Sequence, residues 1–100
     1  MAQNKLQFTK KAVADLSEIW NYTLLEWSER QADEYYSALV DCCRQLLLET
    51  CVLSRAYDRI HEWLRGVKCG HHVIFYRQEP SGNVLVVRIL HERMDLKRHL

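Results

Sequence analysis

Glycine and proline are scarce in this 100-residue chain, which contains three glycines and one proline. None of the four occurs before Gly66, so nothing in the sequence interrupts helix formation over the first 65 residues. Long apolar runs are also missing, since none approaches the roughly 20 residues that span a bilayer. The opening MAQNKLQFTKK lacks the apolar region of a secretory signal. We therefore expect a cytoplasmic protein without membrane contact.

The cysteines do not have the spacing of a metal site. The chain has four, at Cys42, Cys43, Cys51 and Cys69. Two of them are adjacent and none forms a C-x-x-C motif, which argues against a zinc site and against the disulfide framework of a secreted protein. We expect reduced thiols that pack as small apolar side chains, with no metal and no cofactor.

The formal net charge of +1 hides a polarised distribution. Residues 12–51 contain eight acidic and two basic residues, a balance of −6, whereas residues 63–100 contain seven basic and three acidic residues, a balance of +4. Such asymmetry predicts an acidic or anionic partner for the second part of the chain. The alternative is a solvated surface of mixed charge.

Hydrophobic periodicity of three to four residues predicts two helices after a short strand. KLQFT alternates apolar and polar residues up to Thr9, whose hydroxyl is placed to cap a helix. The capping box SERQ at Ser28 starts a second helix, which we expect to run to about Thr50. A connection this tight makes the pair an antiparallel hairpin. The two apolar stripes are Ala12, Leu16, Ile19, Trp20, Leu24 and Trp27, then Ala32, Tyr35, Tyr36, Leu39, Val40, Cys43, Leu46 and Leu47.

The period becomes two after a connecting segment at residues 52–62. WLRGVKC, HVIFYRQ and VLVVRIL are rich in β-branched and aromatic residues, and the turn sequences GH and EPSGN separate them. They predict a three-stranded meander. The order is therefore β-α-α-β-β-β, an α+β fold in one domain over residues 1–100, with an antiparallel helical hairpin on one face of a mostly antiparallel sheet.

The meander supplies a candidate interaction surface. If the hairpin covers one face and the loop of the last strand pair has an even number of residues, Arg77 and Arg88 share the open face. Apolar neighbours on that face would be Val73, Phe75, Val84 and Val86. An uncovered apolar surface with two arginines predicts a partner-binding site. The alternative is that the segment after the last strand folds back over it.

A cationic segment follows the last strand. We expect Asp95 to cap a final helical turn, and the segment to form an edge that contacts a partner. The candidate residues here are His91, Arg93, Met94, Asp95, Lys97, Arg98, His99 and Leu100. The remaining histidines and aromatic residues have simpler interpretations, as turn residues for His71 and His72 and as core for the aromatic side chains on the helical stripes.

Four stretches together resemble a known family: DLSEIWNYT at 15–23, QADEYY at 31–36, HVIFYR at 72–77 and VVRILHERMDLKRHL at 86–100. They resemble the ParE toxins of bacterial ParDE toxin-antitoxin modules, within the RelE/ParE superfamily, over nearly the whole chain. The resemblance implies a helical hairpin on a sheet, a ParD-like antitoxin as partner in a hetero-oligomer, DNA gyrase as target, and a role in plasmid or chromosome stabilisation.

The RelE branch of the superfamily implies a different function, ribosome-dependent cleavage of messenger RNA. That reaction needs a base, an acid and cations around the phosphorane. Arg77, Arg88 and Arg93 supply cations and His91 a proton carrier, but HERMDLKRHL contains no tyrosine, and on a strand Glu92 faces away from its neighbour. We therefore predict no catalytic residues and a gyrase inhibitor without sequence-specific nucleic-acid binding. A third possibility is an antitoxin-bound remnant without toxicity.

Overall fold

The structure is a computed structural model that describes residues 5–48 and 54–100. The described residues form β1 (Leu6–Phe8), α1 (Lys10–Glu26), α2 (Glu29–Gln45), β2 (Arg55–Ala56), β3 (Leu64–Cys69), β4 (His72–Gln78), β5 (Val84–His91) and α3 (Leu96–His99). The strands make one sheet in the order β1-β5-β4-β3-β2, in which β1 runs parallel to β5 and the other pairs are antiparallel. None of these helices is long and apolar enough to cross a membrane. The predicted fold class is confirmed.

Both long helices begin where the sequence predicts a cap. The Thr9 hydroxyl accepts a hydrogen bond from the Ala12 amide at 3.1 Å, and the Ser28 hydroxyl accepts one from the Gln31 amide at 3.1 Å. Each bond satisfies an amide that has no partner inside its helix, so both starts are fixed by local sequence. Thr9 also donates to the Val87 carbonyl at 2.7 Å, which ties the start of α1 to β5.

The helices end earlier, and bury less, than the periodicity predicts. After Gln45 the amides of Leu46 to Leu48 bond to carbonyls three residues back, so the backbone tightens into turns before residues 49–53, which lie outside the described part of the chain. Trp27 is 71% exposed because it is the residue on which α1 ends, with non-helical dihedrals. Tyr36 is 40% exposed, since Tyr35 occupies the sheet-facing position beside it. The core assignments of Trp27 and Tyr36 are wrong.

The main core lies between the hairpin and the sheet. Ala12 of α1 and Leu39 and Cys43 of α2 are fully buried there. The other buried members are Leu16, Leu46, Val67, Ile74, Tyr76, Val84, Val86 and Ile89. The position of Cys43 in this core confirms its predicted role as a small apolar side chain, and burial raises the pKa of its thiol to about 12.

Two features of the sheet are its short edge strand and the tight turn between β3 and β4. Its edge strand β2 was not predicted from the sequence, because two exposed residues have no periodicity. Gly70 forms the predicted turn between β3 and β4 with φ +60°, and a Cβ there would lie 2.8 Å from atoms of the Tyr35 ring. This close approach brings the β3–β4 turn against α2.

Candidate functional site

The register of β4 and β5 overturns the predicted open face. Gln78 pairs with Val84, so the loop has five residues rather than an even number, and Arg77 lies opposite Leu85. Val87 then has no partner on β4, a bulge that shifts the pairing along β5. The odd loop sends Val84 and Val86 under the helices, where they are 1% and 0% exposed. Neither residue lies on an uncovered surface.

The second face of the sheet is covered by the segment that follows β5. Phe75 is 1% exposed and packs in a cluster with Leu64 and Leu90. The half-buried side chains around this cluster are Tyr57, Ile60, Val73, Val87, Leu96 and Leu100. Since α3 packs on this face, the alternative interpretation, that the segment folds back, is correct. The prediction that Val73 and Phe75 belong to an open partner-binding sheet is wrong.

Arg88 is held in an ion pair that links three parts of the chain. Its Nε and one Nη donate to the carboxylate of Asp15 at 2.8 and 2.9 Å, and its other Nη donates to the His99 carbonyl at 3.1 Å. Asp15 also accepts from the Ile89 amide at 3.0 Å. These bonds to the carboxylate are the main cause that raises the pKa of Arg88. Arg88 therefore joins α1, β5 and α3, and its predicted place on an open face is wrong.

The other predicted cations remain on the surface. The Arg77 guanidinium lies 5.6 Å from the centre of the Trp63 ring, a cation–π contact. Asp95 accepts from the Lys97 amide at 3.1 Å and begins α3, as predicted. Around Lys97 a cavity of about 540 Å³ is also lined by Arg55 and Arg59. The exposed residues of the predicted edge are Arg77, Arg93, Met94, Asp95, Lys97 and Arg98.

A second cavity, of about 480 Å³, lies between the tip of the hairpin, the β3–β4 turn and the end of β5. We call it the tip cavity. It is lined by Tyr22, Thr23, Trp27, Gln31, Glu34, Tyr35, Ala38, His71, His72 and His91. Tyr22 and Trp27 are 66% and 71% exposed. A cavity of this size with aromatic walls and a few convergent polar groups is typical of binding sites.

Hydrogen bonds constrain the protonation of the imidazoles in the tip cavity. Tyr35 Oη accepts from the His71 amide at 3.1 Å and lies 2.6 Å from Nδ1 of His72. Burial, then the neighbouring His91 and His71, lower the pKa of His72 to about 4, so its ring is neutral. The Tyr35 phenol also donates to the Cys69 carbonyl at 3.5 Å. The Arg93 amide donates to Nδ1 of His91 at 3.2 Å. In the His91 ring Nδ1 is therefore the acceptor and Nε2 carries the proton, an assignment that follows from this amide.

Charged groups at the outer rim of the turn are already paired. Lys68 Nζ lies 2.9 Å from the Glu92 carboxylate, and Nδ1 of His71 lies 3.6 Å from it. The bond to Lys68 is the main cause that lowers the pKa of Glu92. Neither Nε2 of His72 nor Nε2 of His91 has a hydrogen-bond partner within the described ranges. Among the described residues, the cavity thus presents one imidazole donor without an acceptor, the Nε2–H of His91.

The tip cavity was missed at the level of the sequence. Only His91 was predicted to contact a partner, while His71 and His72 were interpreted as turn residues and Tyr35 as core. A signal was present, because the GH turn places His72 at the start of β4 and β5 ends at His91, and in an antiparallel pair the start of one strand lies beside the end of the other. Within residues 5–48 and 54–100, no group of three or more His, Cys, Asp or Glu side chains is arranged to hold a metal ion.

Comparison with known proteins decides the family. The family model "ParE toxin of type II toxin-antitoxin system, parDE" matches residues 6–96. The chain belongs to the ParE toxin family. Toxin ParE1 of Mycobacterium tuberculosis is 37% identical to this ParE-family toxin over 89 residues, which cover 89% of this chain and 90% of the relative. The resemblance seen in the sequence is confirmed, and the chain is a toxin of a type II toxin-antitoxin system.

Two solved structures share the fold of this ParE-family toxin. A chain of the chromosomal ParDE TA system from P. aeruginosa matches with a TM-score of 0.69 and 17% identity, covering 89% of this chain and 96% of that one. A chain of the toxin-antitoxin complex RelBE2 from Mycobacterium tuberculosis matches with a TM-score of 0.57 and 18% identity, covering 91% and 100%. At these identities the likeness shows the fold alone.

Proposed function

We propose that this ParE-family toxin acts by binding DNA gyrase, that it cleaves no RNA, and that a ParD-like antitoxin neutralises it. The family supports a toxin, and both structural neighbours come from systems whose names pair a toxin with an antitoxin. The biological role that fits such a pair is stabilisation of a plasmid or chromosome. The rival function is the ribosome-dependent endoribonuclease activity of the RelE branch.

The observation that carries the proposal is that two of the three predicted cations, Arg77 and Arg88, are not available beside His91. Arg77 lies five residues after His72 on β4, and His72 is the partner of His91, so Arg77 and His91 are separated by about 17 Å along the sheet. Arg88 is closer in sequence, but Asp15 and the His99 carbonyl occupy its donors. General acid–base catalysis requires a proton carrier within hydrogen-bond reach of the reacting atoms, beside the cations that stabilise their charge. This arrangement supports binding rather than catalysis.

The proposed contact for the antitoxin includes the exposed cations near α3. Arg77 on β4 and Lys97 and Arg98 on α3 are exposed cations of a chain whose helical half is acidic. An acidic antitoxin segment would therefore associate with them at a rate that depends on salt. Arg88 is not part of this contact, because its guanidinium stabilises the fold. Met94 and Arg93 lie on the same exposed segment, whereas Leu100 packs in the second core cluster.

Charge reversal tests this contact. The double variant Arg77→Glu with Lys97→Glu should bind the cognate antitoxin more weakly and with a reduced dependence on salt. Arg44→Glu serves as the matched control, because that side chain is 70% exposed on the acidic hairpin. Affinity that is equal in the double variant and the wild type would place the antitoxin elsewhere on the toxin.

Induced expression separates the two mechanisms in cells. Without its antitoxin the toxin should cause DNA breaks and filamentous growth, because a poisoned gyrase leaves damaged DNA. A RelE-type enzyme instead arrests translation and leaves messages cut at codon-related positions. Mapping message 5′ ends together with a DNA-damage reporter in the same culture shows which occurs. Codon-positioned cleavage without DNA damage would contradict the proposal.

A further inference from the structure

Two cysteines from distant parts of the chain meet where α2 packs on the end of β3. Cys42 Sγ and Cys69 Sγ lie 2.7 Å apart, at positions 27 apart in the sequence, and both are free thiols. Apolar heavy atoms in a packed interior meet at about 3.5–4.0 Å, so the two sulfur atoms are closer than the packing of small side chains requires. Their contact is therefore a candidate for a reaction between the thiols.

Neighbouring contacts hold α2 and the end of β3 together at this point. Cys69 Sγ donates a weak hydrogen bond to the Ala38 carbonyl at 3.8 Å, one helical turn before Cys42. Tyr35, on the preceding turn, lies against Gly70, and its Oη is 3.5 Å from the Cys69 carbonyl oxygen. Because these contacts restrain both the helix and the strand, the two sulfur atoms stay within reach of each other.

We propose that Cys42 and Cys69 form a redox modification site, at which a hydroperoxide converts the two thiols into an intramolecular disulfide that joins α2 to β3. The S–S bond of a disulfide is about 2.05 Å long, so the sulfur atoms need to approach by only about 0.7 Å from their present separation. This inference goes beyond the proposed function and does not depend on the target of the toxin.

The reaction has two steps and consumes one hydroperoxide. In the first step the Cys42 sulfur attacks the O–O bond, which converts Cys42 to a sulfenic acid and releases an alcohol, or water when the oxidant is hydrogen peroxide. In the second step the Cys69 sulfur attacks the Cys42 sulfur, which forms the S–S bond and releases the hydroxyl group and the thiol proton as water. The two thiols lose two electrons and two protons in total, and the hydroperoxide takes up both.

The surroundings of the cysteines determine which sulfur reacts first. Burial, then the contact with Cys42, raise the pKa of Cys69 to about 12, so Cys69 stays protonated near neutral pH and is a poor first nucleophile. Cys43 is 0% exposed, whereas Cys42 and Cys69 are half-buried and within reach of a small oxidant. The first attack therefore falls to Cys42, and Cys43 remains a thiol. Cys69 reacts in the second step because groups held in contact have a high effective concentration.

Oxidation of the purified toxin followed by thiol labelling tests the site. The reduced chain is treated with hydrogen peroxide, the remaining thiols are labelled with N-ethylmaleimide, and the peptides are mapped by mass spectrometry without reduction. We expect one linked peptide pair that contains Cys42 and Cys69, in a chain that has lost two hydrogen atoms. Dithiothreitol should restore labelling of all four cysteines. Cys51 lies outside the described residues, so the mapping is repeated with Cys51→Ser, which should give the same linked pair.

Thermal unfolding tests whether the disulfide joins the two elements in their native arrangement. A bond between positions 27 apart constrains the unfolded chain, so oxidation should raise the unfolding midpoint of the wild type by about 10 °C or more. Cys42→Ser should show no such rise, whereas the matched control Cys43→Ala keeps both partners and should show it.

The mapping of the wild type also supplies the contrary results, and it requires no substituted chain to fold. Labelling of both Cys42 and Cys69 after oxidation, or a disulfide that joins another pair of cysteines, would overturn the inference. Equal unfolding midpoints for the oxidised and reduced wild type would overturn it as well, because a bond made in the native arrangement must stabilise the fold.

Discussion

Replacing Asp15 by asparagine should be among the most destabilising single changes in this toxin. The Asp15 and Arg88 side chains are only 9% and 17% exposed, and the carboxylate accepts from Arg88 twice and from the Ile89 amide. Removing one partner of a buried ion pair leaves the other charge uncompensated, which costs about 3–5 kcal/mol. Total stability of such a domain is about 5–15 kcal/mol, so Asp15→Asn should lose at least about a fifth of it.

Urea denaturation followed by tryptophan fluorescence measures this effect. The control is Glu34→Gln, which breaks an exposed pair on α2 and should cost less than about 0.5 kcal/mol. The double variant Asp15→Leu with Arg88→Met should be more stable than the sum of the single losses predicts, because it leaves no buried charge. A loss below about 1 kcal/mol for Asp15→Asn, with an unchanged denaturant slope, would refute the reasoning.

The fold was predictable from the sequence because its signals are local. Thr9 and Ser28 are cap residues, the two helical stripes have a clear period, and Gly70 marks the turn between two strands. Each of these features depends on neighbours along the chain, and the structure confirms both caps, the two helices and the turn. Strand β2 lacked such a signal because an edge strand of two exposed residues has no pattern.

Which side chains face the helices was not predictable from the sequence, because it depends on the exact number of residues in the loop between β4 and β5. One residue more in the loop between β4 and β5 moves Val84 and Val86 to the other face, and the bulge at Val87 changes the alternation again. The tip cavity depends on tertiary contacts, since Tyr35 meets the β3–β4 turn from a helix 34 residues earlier in the chain. Periodicity contains no information about such a contact.

Three further substitutions or conditions test the account of the fold. Thr9→Ala removes a cap and the bond to the Val87 carbonyl, and should lower the free energy of unfolding by about 1–2 kcal/mol in urea denaturation, whereas Thr9→Ser should restore most of it. Gly70→Ala should destabilise the protein by more than about 1 kcal/mol, because residue 70 has a positive φ and the added Cβ would clash with Tyr35. The same change should reduce the protection of the His71 amide from hydrogen exchange, because that amide donates to Tyr35. The free energy of unfolding should fall as pH decreases from 6.5 towards about 4, because His72 is protonated in the unfolded state while its pKa in the folded state is about 4. His72→Gln should make the free energy of unfolding depend less on pH in this range. An unchanged pH dependence in that variant would contradict the lowered pKa of His72.

The most direct test of the central claim uses the purified toxin in two parallel reactions. In the first reaction, gyrase supercoils a plasmid in the presence of increasing concentrations of toxin. In the second, ribosomes programmed with a labelled message are incubated with the same concentrations of toxin, and the length of the message is measured. The account predicts that supercoiling is inhibited, that addition of the antitoxin restores it, and that the message stays whole. Cleavage of the message on ribosomes, with gyrase fully active, would contradict the account and assign the chain to the endoribonuclease branch.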